Sequence, residues 1–590
     1  MMKTSLHRLY QWTLDAPHEP AQVQKLNGEW KSISSQEMMD RIFYIACYLE
    51  SIGLQKGEVI NILSYNRPEW VQFDLAPHLI GVMSAGLYPN SNASDIQYVL
   101  EHTEARVLVV QNKTYFEKIQ GTLPSSVEKV VVIEGDASFY KGAVTYAEVI
   151  EVGQKLAQEK KLEDYLEQVD PDAPAFMIYT SGTTGDPKGV MISHANLCFA
   201  IDGVIEAWSI PVGVNKKLFS FLPLCHIAEK LQNVGYGITG RGTIYFCTQF
   251  DQLTTELGEV EPDVLLCVPR LWEKMMEGVN QKLNKAQGVK KHLAKWAFEV
   301  GYKVSAAKYS GKKLSTLDQV QYRLAEKLIF SKVKEALGLG KLEKAASGAA
   351  PLPSHVTRWF GALGIEILED YGQSETSAVL SLTVPGIDNA GNVGRAQPGT
   401  EMKIADDGEV LTRGPHLFKG YFKNEQATRE TIDSEGWLHT GDLGKINEDG
   451  FLQIIGRKKE VLKTSGGKMI APLPIEEKIK EDPMISQVCI VGDNRKFFSA
   501  IITLNESTLA DLQKENKLTQ QVIEDPEVVG HVKSVVDRVN ASLASYEQIK
   551  YFKLINREFS IEEGEMTPTM KMKRSVIEKN FNPLIEGIYS

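Results

Sequence analysis

Short apolar runs alternate with amphipathic stretches through the first half of the chain. Residues 59–63 and 105–110 are almost wholly apolar, as is typical of strands covered on both faces, and 94–102 has the spacing of an amphipathic helix. Similar strand-like runs recur further along, at 175–179, 243–246 and 264–268. This alternation predicts parallel sheets flanked by helices, which is an α/β architecture.

The pattern changes twice in the second half. Between 383 and 455, closely spaced glycines separate short apolar runs, which predicts a small β unit without a long helix. After Gly456 a basic run leads into new strands, at 488–491 and 500–504, and into a helix with valines on one face. A domain boundary is therefore predicted at 456–460.

These patterns predict a large amino-terminal domain and a small α+β carboxy-terminal domain. The predicted bounds are 1–456, divided into α/β subdomains at about 1–215 and 216–382 and a β-barrel-like unit at 383–455, and then 457–590.

Composition excludes several classes of protein. The 590 residues are 43% hydrophobic and 24% charged, as in ordinary folded proteins. With 65 Lys and Arg against 76 Asp and Glu, the net charge of −11 provides no general field for nucleic acid, so none is expected as a partner. The six cysteines form no CxxC pair, which indicates reduced thiols and a cytoplasmic protein.

No membrane-spanning or secretory segment is predicted. The beginning of the sequence has no apolar run of signal-peptide length. The uncharged stretch 75–94 is interrupted by proline, histidine and asparagine, whereas a spanning helix needs about 20 predominantly apolar residues.

One segment is locally basic. Residues 281–313 contain nine lysines and the single acid Glu299, together with Trp296, Phe298 and Tyr302. Such a helix is either a solvated face or a surface for anionic lipid headgroups or phosphates. Both interpretations stay open, so peripheral contact with the cytosolic membrane face is one expectation.

The segment TSGTTGDPKG at 180–189 is the most informative in the chain. It follows a predicted strand, and its glycines, hydroxyl groups and Lys188 suit a loop that wraps a polyphosphate. A P-loop would need GxxxxGK[ST], which this segment does not match. The whole string resembles the phosphate-loop signature of the adenylate-forming superfamily, which includes the acyl-CoA synthetases.

Further motifs of that superfamily follow in order. GAAPL at 348–352, YGQSET at 371–376, GWLHTGD at 436–442 and GR at 456–457 resemble its nucleotide-binding segments. The resemblance implies ATP binding by Thr180, Ser181, Gly182, Thr183, Thr184, Gly185, Lys188, Gly348, Ala349, Ala350, Tyr371, Gly372, Asp442 and Arg457.

The resemblance also implies specific roles. The ring of Tyr371 would stack on adenine, Ser374 would meet the α-phosphate or acyl carboxylate, and Glu375 would hold Mg²⁺. One carboxylate together with substrate phosphates is the usual arrangement for that ion. Asp442 would accept the ribose hydroxyls, because a carboxylate pairs naturally with a diol.

Three other segments resemble motifs of the long-chain fatty-acid branch, including its bubblegum-type members. In FLPLCHIAEK at 221–230, His226 would line the acyl pocket. In TPTMKMKR at 567–574, Lys571 would be the catalytic lysine, although the resemblance alone distinguishes it from Lys573. Lys459 stands at the family's hinge position, about which the resemblance implies that the carboxy-terminal domain is mobile. Gly466 and Gly467 resemble the loop that lines the CoA tunnel.

A GxGxxG pattern at 235–240 does not indicate a dinucleotide site. That fingerprint must follow a strand and open a helix, whereas here a helical stretch precedes it and a strand follows.

The resemblance implies a ligase that activates a long-chain fatty acid with ATP and Mg²⁺ and transfers the acyl group from AMP to CoA. Alternatives left open are a medium-chain synthetase, a fatty-acyl-AMP ligase that loads a carrier protein, a luciferase-like oxidative use of the acyl-AMP, and a non-catalytic binding protein. The sequence does not predict the oligomeric state.

Overall fold

The computed structural model describes residues 4–119, 123–180, 186–505, 509, 519–567 and 570–590. Two large sheets, a four-stranded sheet and a carboxy-terminal α+β unit make up this part of the chain. The predicted α/β class and the small carboxy-terminal unit of strands and helices are confirmed.

The first large sheet is formed chiefly by residues 59–193. Its spatial order is β19-β9-β8-β4-β3-β5-β6-β7, and its strands are β3 (Val59–Leu63), β4 (Met83–Leu87), β5 (Val107–Val110), β6 (Lys129–Val132), β7 (Val144–Thr145), β8 (Pro174–Thr180), β9 (Lys188–Ser193) and β19 (Gly420–Tyr421). The strands from β4 to β7 run parallel, whereas β8 and β9 form an antiparallel pair in which Thr180 lies opposite Lys188. The predicted phosphate loop therefore connects two paired strands.

The second large sheet has the order β16-β15-β14-β13-β12-β10-β11-β1-β2. Its strands are β1 (Pro20–Leu26), β2 (Glu29–Ser34), β10 (Lys217–Ser220), β11 (Thr243–Phe246), β12 (Val264–Cys267), β13 (Lys344–Ser347), β14 (Ile367–Tyr371), β15 (Ser381–Leu382) and β16 (Arg395–Ala396). Because β1 pairs in parallel with β11, the predicted division at 215 does not separate the strands of the two sheets. The domain bounds stay predictions.

Smaller sheets follow along the chain. The four-stranded sheet contains β17 (Glu401–Ile404), β18 (Glu409–Arg413), β20 (Leu438–Ile446) and β21 (Leu452–Arg457). The carboxy-terminal part contains the pair β22 (Leu462–Lys463) and β23 (Met469–Ile470) and a sheet of β24 (Ile485–Val491), β25 (Phe498–Leu504) and β26 (Ile549–Ile555).

Helices cover the sheets. In chain order they are α1 (Ser5–Asp15), α2 (Ser35–Ser51), α3 (Pro68–Leu75), α4 (Ala93–Thr103), α5 (Lys113–Glu117), α6 (Tyr146–Ala157), α7 (Leu162–Gln168), α8 (His194–Trp208), α9 (Ile227–Lys230), α10 (Leu253–Val260), α11 (Pro269–Lys285), α12 (Val289–Tyr309), α13 (Thr316–Ala325), α14 (Ser331–Ala336), α15 (Ser354–Ala362), α16 (Glu425–Thr431), α17 (Leu473–Lys480), α18 (Thr519–Glu524), α19 (Pro526–Asn540), α20 (Arg574–Asn580) and α21 (Asn582–Tyr589).

Local signals fix several helix starts. Ser34 caps α2 and Glu37 bonds back to its backbone, and Thr145 and Glu148 form the same reciprocal capping box before α6. In the part of the chain that the structure describes, no helix is both long and apolar enough to cross a bilayer. The rejected GxGxxG pattern overlaps a π-helical turn, Leu231–Gly237, that precedes β11, which is not the order of a dinucleotide fingerprint.

Candidate nucleotide and acyl site

A cavity of about 1650 Å³ lies where the large sheets, the four-stranded sheet and the carboxy-terminal part meet. Its wall includes the ends of β8 and β14, the amino-terminal turn of α9 and the segment that holds Lys571. Open α/β sheets commonly bind ligands beyond the carboxyl ends of their strands, and this cavity occupies such a position.

Small residues after β13 allow a close approach of the chain. A side chain on Gly348 would lie 2.7 Å from a carboxyl oxygen of Asp370, and Ala349 has a left-handed backbone with φ of 70°. Gly372 is equally constrained, because a Cβ there would lie 2.0 Å from the carbonyl oxygen of Ala378. Burial raises the pKa of Asp370 to about 7, so this carboxyl carries less negative charge near neutrality than an exposed aspartate does.

Asp442 is the centre of a hydrogen-bonded cluster. Its Oδ2 accepts the Tyr371 hydroxyl at 2.6 Å and the Gln373 amide at 2.8 Å, while its Oδ1 lies 2.9 Å from Nε of Arg457. Strands β20 and β21 place Asp442 directly opposite Arg457. The carboxylate is buried and fixed in orientation, so a ribose that binds it must compete with Tyr371 and Gln373.

A second cluster joins Glu375 to Lys188. The Tyr421 hydroxyl donates to Oε1 of Glu375 at 2.7 Å, and the Lys188 ammonium lies 4.8 Å from the centre of the Tyr421 ring. Tyr421 comes from β19, which adds to the edge of the first sheet beside β9. One tyrosine therefore positions the predicted metal ligand and the predicted phosphate-binding lysine.

Lys571 lies in the cavity next to the Asp442 cluster. Burial lowers its pKa, the charge of Arg457 lowers it further, and Asp442 and Glu460 oppose this shift. The positive charges of Lys571 and Arg457 therefore repel each other, and few carboxylates nearby neutralise them. A bound phosphate would weaken this repulsion. Lys573 also lines the cavity.

His226 begins α9 and lines the cavity. Its Nδ1 accepts the backbone N–H of Ala228 at 3.3 Å, and burial lowers its pKa to about 4. The imidazole is therefore neutral near pH 7, with the proton on Nε2, and can donate a hydrogen bond to a carboxylate oxygen.

A buried ion pair supports the helix behind His226. Nζ of Lys230 lies 2.6 Å from Oδ1 of Asp74, both side chains are at most 2% exposed, and the ammonium lies 3.8 Å from the centre of the Phe176 ring. The adjacent Glu229 accepts hydrogen bonds from Ser220 and Asn233, each at 2.7 Å. Burial raises the pKa of Glu229 to about 8, although these bonds oppose the shift.

The structure brings together many of the predicted site residues. The cavity wall includes Thr180, Lys188, His226, Ala349, Gly372, Ser374, Glu375, Arg457, Lys459 and Lys571, and Asp442 and Tyr371 lie directly behind it. Ser181, Gly182, Thr183, Thr184 and Gly185 lie outside the described residues. Gly348 and Ala350 lie in the loop that carries Ala349, and Gly466 and Gly467 lie between β22 and β23, away from the lining residues of this cavity.

Two residues that contribute to the site were not predicted from the sequence. Gln373 stands inside the quoted YGQSET motif, but nothing in the motif indicates its bond to Asp442. Tyr421 is 46 residues from Glu375 and carries no local signal. Only strand pairing brings it to the site.

Ion pairs also join the carboxy-terminal part to α11. Arg270 bonds both carboxylate oxygens of Glu558, at 2.9 and 3.0 Å, and the hydroxyl of Ser486 at 2.8 Å. Lys480 lies 3.5 Å from Glu273 on the same helix. These side chains are largely buried, so the two parts meet through a desolvated polar contact.

Two family matches agree with this geometry. Residues 10–422 match the family described as AMP-binding enzyme, and residues 459–590 match the AMP-binding enzyme C-terminal domain. The chain belongs to the AMP-binding enzyme family. Residues 423–458 lie between the two matches, and this interval contains β20 and β21 of the Asp442 cluster.

Relatives within this family are long-chain-fatty-acid–CoA ligases. ACSBG2 of Xenopus laevis is 32% identical over 624 residues, which cover 99% of this chain and 84% of that protein. FadD15 of Mycobacterium tuberculosis is 32% identical over 573 residues, which cover 96% of this chain and 93% of that protein. The predicted resemblance, including the bubblegum-type relatives, is confirmed.

Solved structures share the fold. The adenylation domain of a carboxylate reductase from Mycobacterium chelonae aligns with a TM-score of 0.78 at 20% identity, covering 99% of this chain and 91% of that one. The anthranilate CoA ligase AuaEII, solved with anthranoyl-AMP, aligns with a TM-score of 0.74 at 18% identity, covering 99% and 98%. These similarities establish the adenylate-forming fold of this AMP-binding enzyme.

Proposed function

We propose that this AMP-binding enzyme is an AMP-forming long-chain fatty-acid–CoA ligase. The observation that carries the proposal is the convergence of Lys571, Arg457, Asp442, Glu375 and Lys188 around one cavity, in a chain whose relatives carry that activity. A free carboxylate resists attack by a thiol, so it must first gain a better leaving group.

In the first half-reaction, an acyl carboxylate oxygen attacks the α-phosphate of ATP and pyrophosphate leaves. The protein contributes position and charge rather than covalent chemistry. Lys571 and Arg457 stabilise the negative charge that develops around the α-phosphate, and the neutral His226 donates to the acyl carboxylate. Lys188, on the predicted phosphate loop, binds the distal phosphates.

Glu375 fits a magnesium ion as the single protein carboxylate. Its Oε1 is oriented by Tyr421, and the part of the chain that the structure describes holds no cluster of three metal-ligating side chains. That donor set suits Mg²⁺, which is often bound by one or two carboxylates together with substrate phosphates. The ion would neutralise phosphate charge when ATP is bound.

The nucleotide roles that the sequence predicts are part of this proposal. Asp442 binds the ribose, and the loop at 348–350 and Gly372 approach adenine, on which the Tyr371 ring stacks. Ser374 contacts the α-phosphate or acyl group. The fixed orientation of Asp442 supports its role, because Tyr371, Gln373 and Arg457 hold it in place.

In the second half-reaction, the CoA thiol attacks the acyl carbonyl and AMP leaves. We expect the part after Gly456 to rotate about the segment at Lys459, removing Lys571 and presenting Gly466 and Gly467 to CoA. Two observations support this step: the two glycines are not among the residues that line the cavity, and Arg270 and Glu273 of α11 meet the moving part through ion pairs.

We propose a cytoplasmic location with peripheral contact at the cytosolic membrane face through 281–313. All six cysteines are buried and free, which fits a reducing compartment. Lysines 290, 291 and 295 are exposed on α12, which supports a surface contact.

Product analysis tests the proposal. Purified protein with ATP and Mg²⁺ is assayed for CoA-dependent AMP release against acids from acetate to very long chains, with hydroxylamine trapping in parallel. Release that peaks on long acids is expected. Release that peaks on medium chains, or acyl-hydroxamate that forms without a response to CoA, would replace the proposal with one of its alternatives.

A further inference from the structure

The surface of α13 carries a row of apolar side chains that the ligase function does not use. Leu317, Val320, Leu324 and Leu328 are 66%, 47%, 48% and 41% exposed. Their spacing of three, four and four residues places them on one face of α13 and of the π-helical turn Glu326–Phe330 that continues it. We call these four residues the α13 stripe.

The opposite face of the same helix is fixed in the fold. Asp318 and Ala325 are buried, Lys303 on α12 bonds Asp318 at 2.6 Å, and the Phe298 and Phe330 rings lie 5.6 Å apart. These contacts set α12 and α13 antiparallel and orient the α13 stripe away from the core. The stripe is therefore a defined feature of the surface rather than a frayed end.

Positive charge surrounds the stripe. Residues 311–334 include six basic residues, namely Lys312, Lys313, Arg323, Lys327, Lys332 and Lys334, and only two acids. Both acids are ion-paired, Asp318 with Lys303 and Glu326 with Lys334 at 2.6 Å. This local excess stands out on a chain whose net charge is −11.

The outer face of the preceding helix continues the pattern. Lys291, Lys295 and Tyr302 are exposed at positions four and seven residues apart, and Tyr302 is 43% exposed. Exposed aliphatic residues, an aromatic ring and lysines together are the composition of helices that lie in a bilayer interface.

We infer that the α13 stripe and its basic border form a docking surface for a membrane that contains anionic lipids. In this arrangement the four aliphatic side chains enter the headgroup boundary, and Lys312, Lys313, Arg323 and Lys327 contact lipid phosphates. A protein partner fits less well, because four partly exposed side chains fall short of the roughly 800 Å² that each partner buries in a standard interface.

The surface has a role that rests on the proposed function. A long-chain acid partitions into bilayers because each methylene favours the apolar phase, so a docked ligase meets its substrate at high local concentration. Binding itself does not depend on catalysis, and the two can be tested separately.

Vesicle partitioning tests the inference. The full chain is sedimented with vesicles of phosphatidylcholine alone and with vesicles that are one-third phosphatidylglycerol. We expect binding to the anionic vesicles that weakens as salt is added. The double variant Leu317→Ser/Leu324→Ser should lower the partition coefficient by at least about tenfold, because both apolar insertions are lost.

Matched variants make the result specific. Leu14→Ser removes a leucine that is 59% exposed on α1 and should leave partitioning unchanged. Lys312→Gln/Lys313→Gln should remove most of the preference for anionic vesicles, whereas Lys155→Gln on α6 should not. Equal binding of the wild type and the stripe variant, or no binding by either, would overturn the inference.

Two further measurements distinguish a lipid surface from a dimer interface and separate docking from catalysis. If the wild type forms a concentration-dependent dimer without lipid and Leu317→Ser/Leu324→Ser abolishes it, the stripe joins two copies of this chain and the membrane inference is wrong. Adenylation of a water-soluble medium-chain acid should be unchanged in the stripe variant. Absence of adenylation of both this acid and a long-chain acid in the wild type would count against the ligase proposal and leave the vesicle result standing.

Discussion

Two buried ion pairs in this enzyme have similar geometry, but the proposed reaction requires one of them to stay closed and the other to open. Asp74 and Lys230 meet within the amino-terminal part, 2.6 Å apart, behind the helix that begins at His226. Arg270 meets Glu558 at 2.9 Å across the contact with the carboxy-terminal part. If the proposed rotation is correct, the first pair persists throughout the reaction and the second breaks in every cycle.

The surroundings of each pair match that difference. Lys230 is enclosed by Asp74, the Phe176 ring and the Trp70 ring, with almost no exposure to solvent. Arg270 is about 12% exposed and shares several partners, including Glu273 and Ser486. A group with several polar partners keeps some of them when one leaves, so the contact can open without stranding a bare charge.

Removing Asp74 should give the largest effect. Asp74→Ala leaves Lys230 buried without its carboxylate and should lower the free energy of unfolding by about 3–5 kcal/mol. Burial already lowers the pKa of Lys230, and Asp74 opposes that shift, so the variant lysine should lose its proton more readily. The deficit should therefore shrink as pH rises, which urea denaturation at several pH values would measure.

The double variant Asp74→Ala/Lys230→Leu is the matched control. Removing both charges should recover much of the lost stability, because an apolar replacement of a buried pair is often neutral. If the double variant is no more stable than Asp74→Ala, the penalty comes from lost packing rather than from a stranded charge.

A smaller effect on stability is expected from Glu229→Gln. Burial raises the pKa of Glu229 to about 8, so the folded state holds a proton that the unfolded state releases near pH 4.5. That contribution to stability is complete below pH 4.5 and is lost as pH rises toward 8. The melting temperature of the wild type should fall over this range.

Glutamine resembles the protonated acid but does not titrate. The Glu229→Gln variant should lose less stability between pH 5 and pH 8.5, by about 3–4 kcal/mol, since each unit of pKa shift is worth about 1.4 kcal/mol. Melting curves across this range provide the measurement. Parallel profiles for the two proteins would mean that Glu229 is ionised in the fold.

The smallest effect should come from Arg270→Ala, which should slow adenylation but not thioester formation. Hydrogen bonds to charged groups contribute about 1.5–3 kcal/mol each, so the variant should populate the adenylating arrangement less and slow adenylation by roughly tenfold. Thioester formation from preformed acyl-AMP should be unchanged or faster. Single-turnover assays of each half-reaction would measure both rates.

Arg413→Ala is a control for loss of an arginine–carboxylate pair. Arg413 bonds Glu401 at 2.8 and 2.9 Å between paired strands of one sheet. The Arg413→Ala substitution should slow both half-reactions equally or neither of them. Equal losses in Arg270→Ala would mean that its contact serves stability and not the domain arrangement.

Much of the fold follows from local patterns. The apolar runs at 59–63, 243–246 and 264–268 became β3, β11 and β12, because fully buried parallel strands need consecutive apolar residues. The membership of β1 in the second sheet was not predictable in this way. Its pairing of Gln22 with Ile244 joins positions 222 residues apart, and no local signal encodes that contact.

The site residues also fall into those that the sequence predicts and those that it does not. Motif resemblance identified Lys188, Glu375, Asp442 and Lys571, which the structure brings to one cavity or its border. Tyr421 was missed because its role depends on strand pairing. Glu229 and Lys230 look like solvent-facing residues by type, and only the folded surroundings of Asp74 and Ser220 explain why they are buried.

In the proposed reaction, Lys571 serves acid activation and not thioester formation. The direct measurement compares Lys571→Ala with Lys573→Ala in pyrophosphate release from ATP and acid, and in CoA-dependent consumption of preformed acyl-AMP. Losing a preorganised charge typically costs about 10²–10³ in rate, so Lys571→Ala should lose that much in the first assay and little in the second. Equal loss in both assays, or a larger loss of adenylation in Lys573→Ala, would mean that Lys571 is not the lysine dedicated to acid activation.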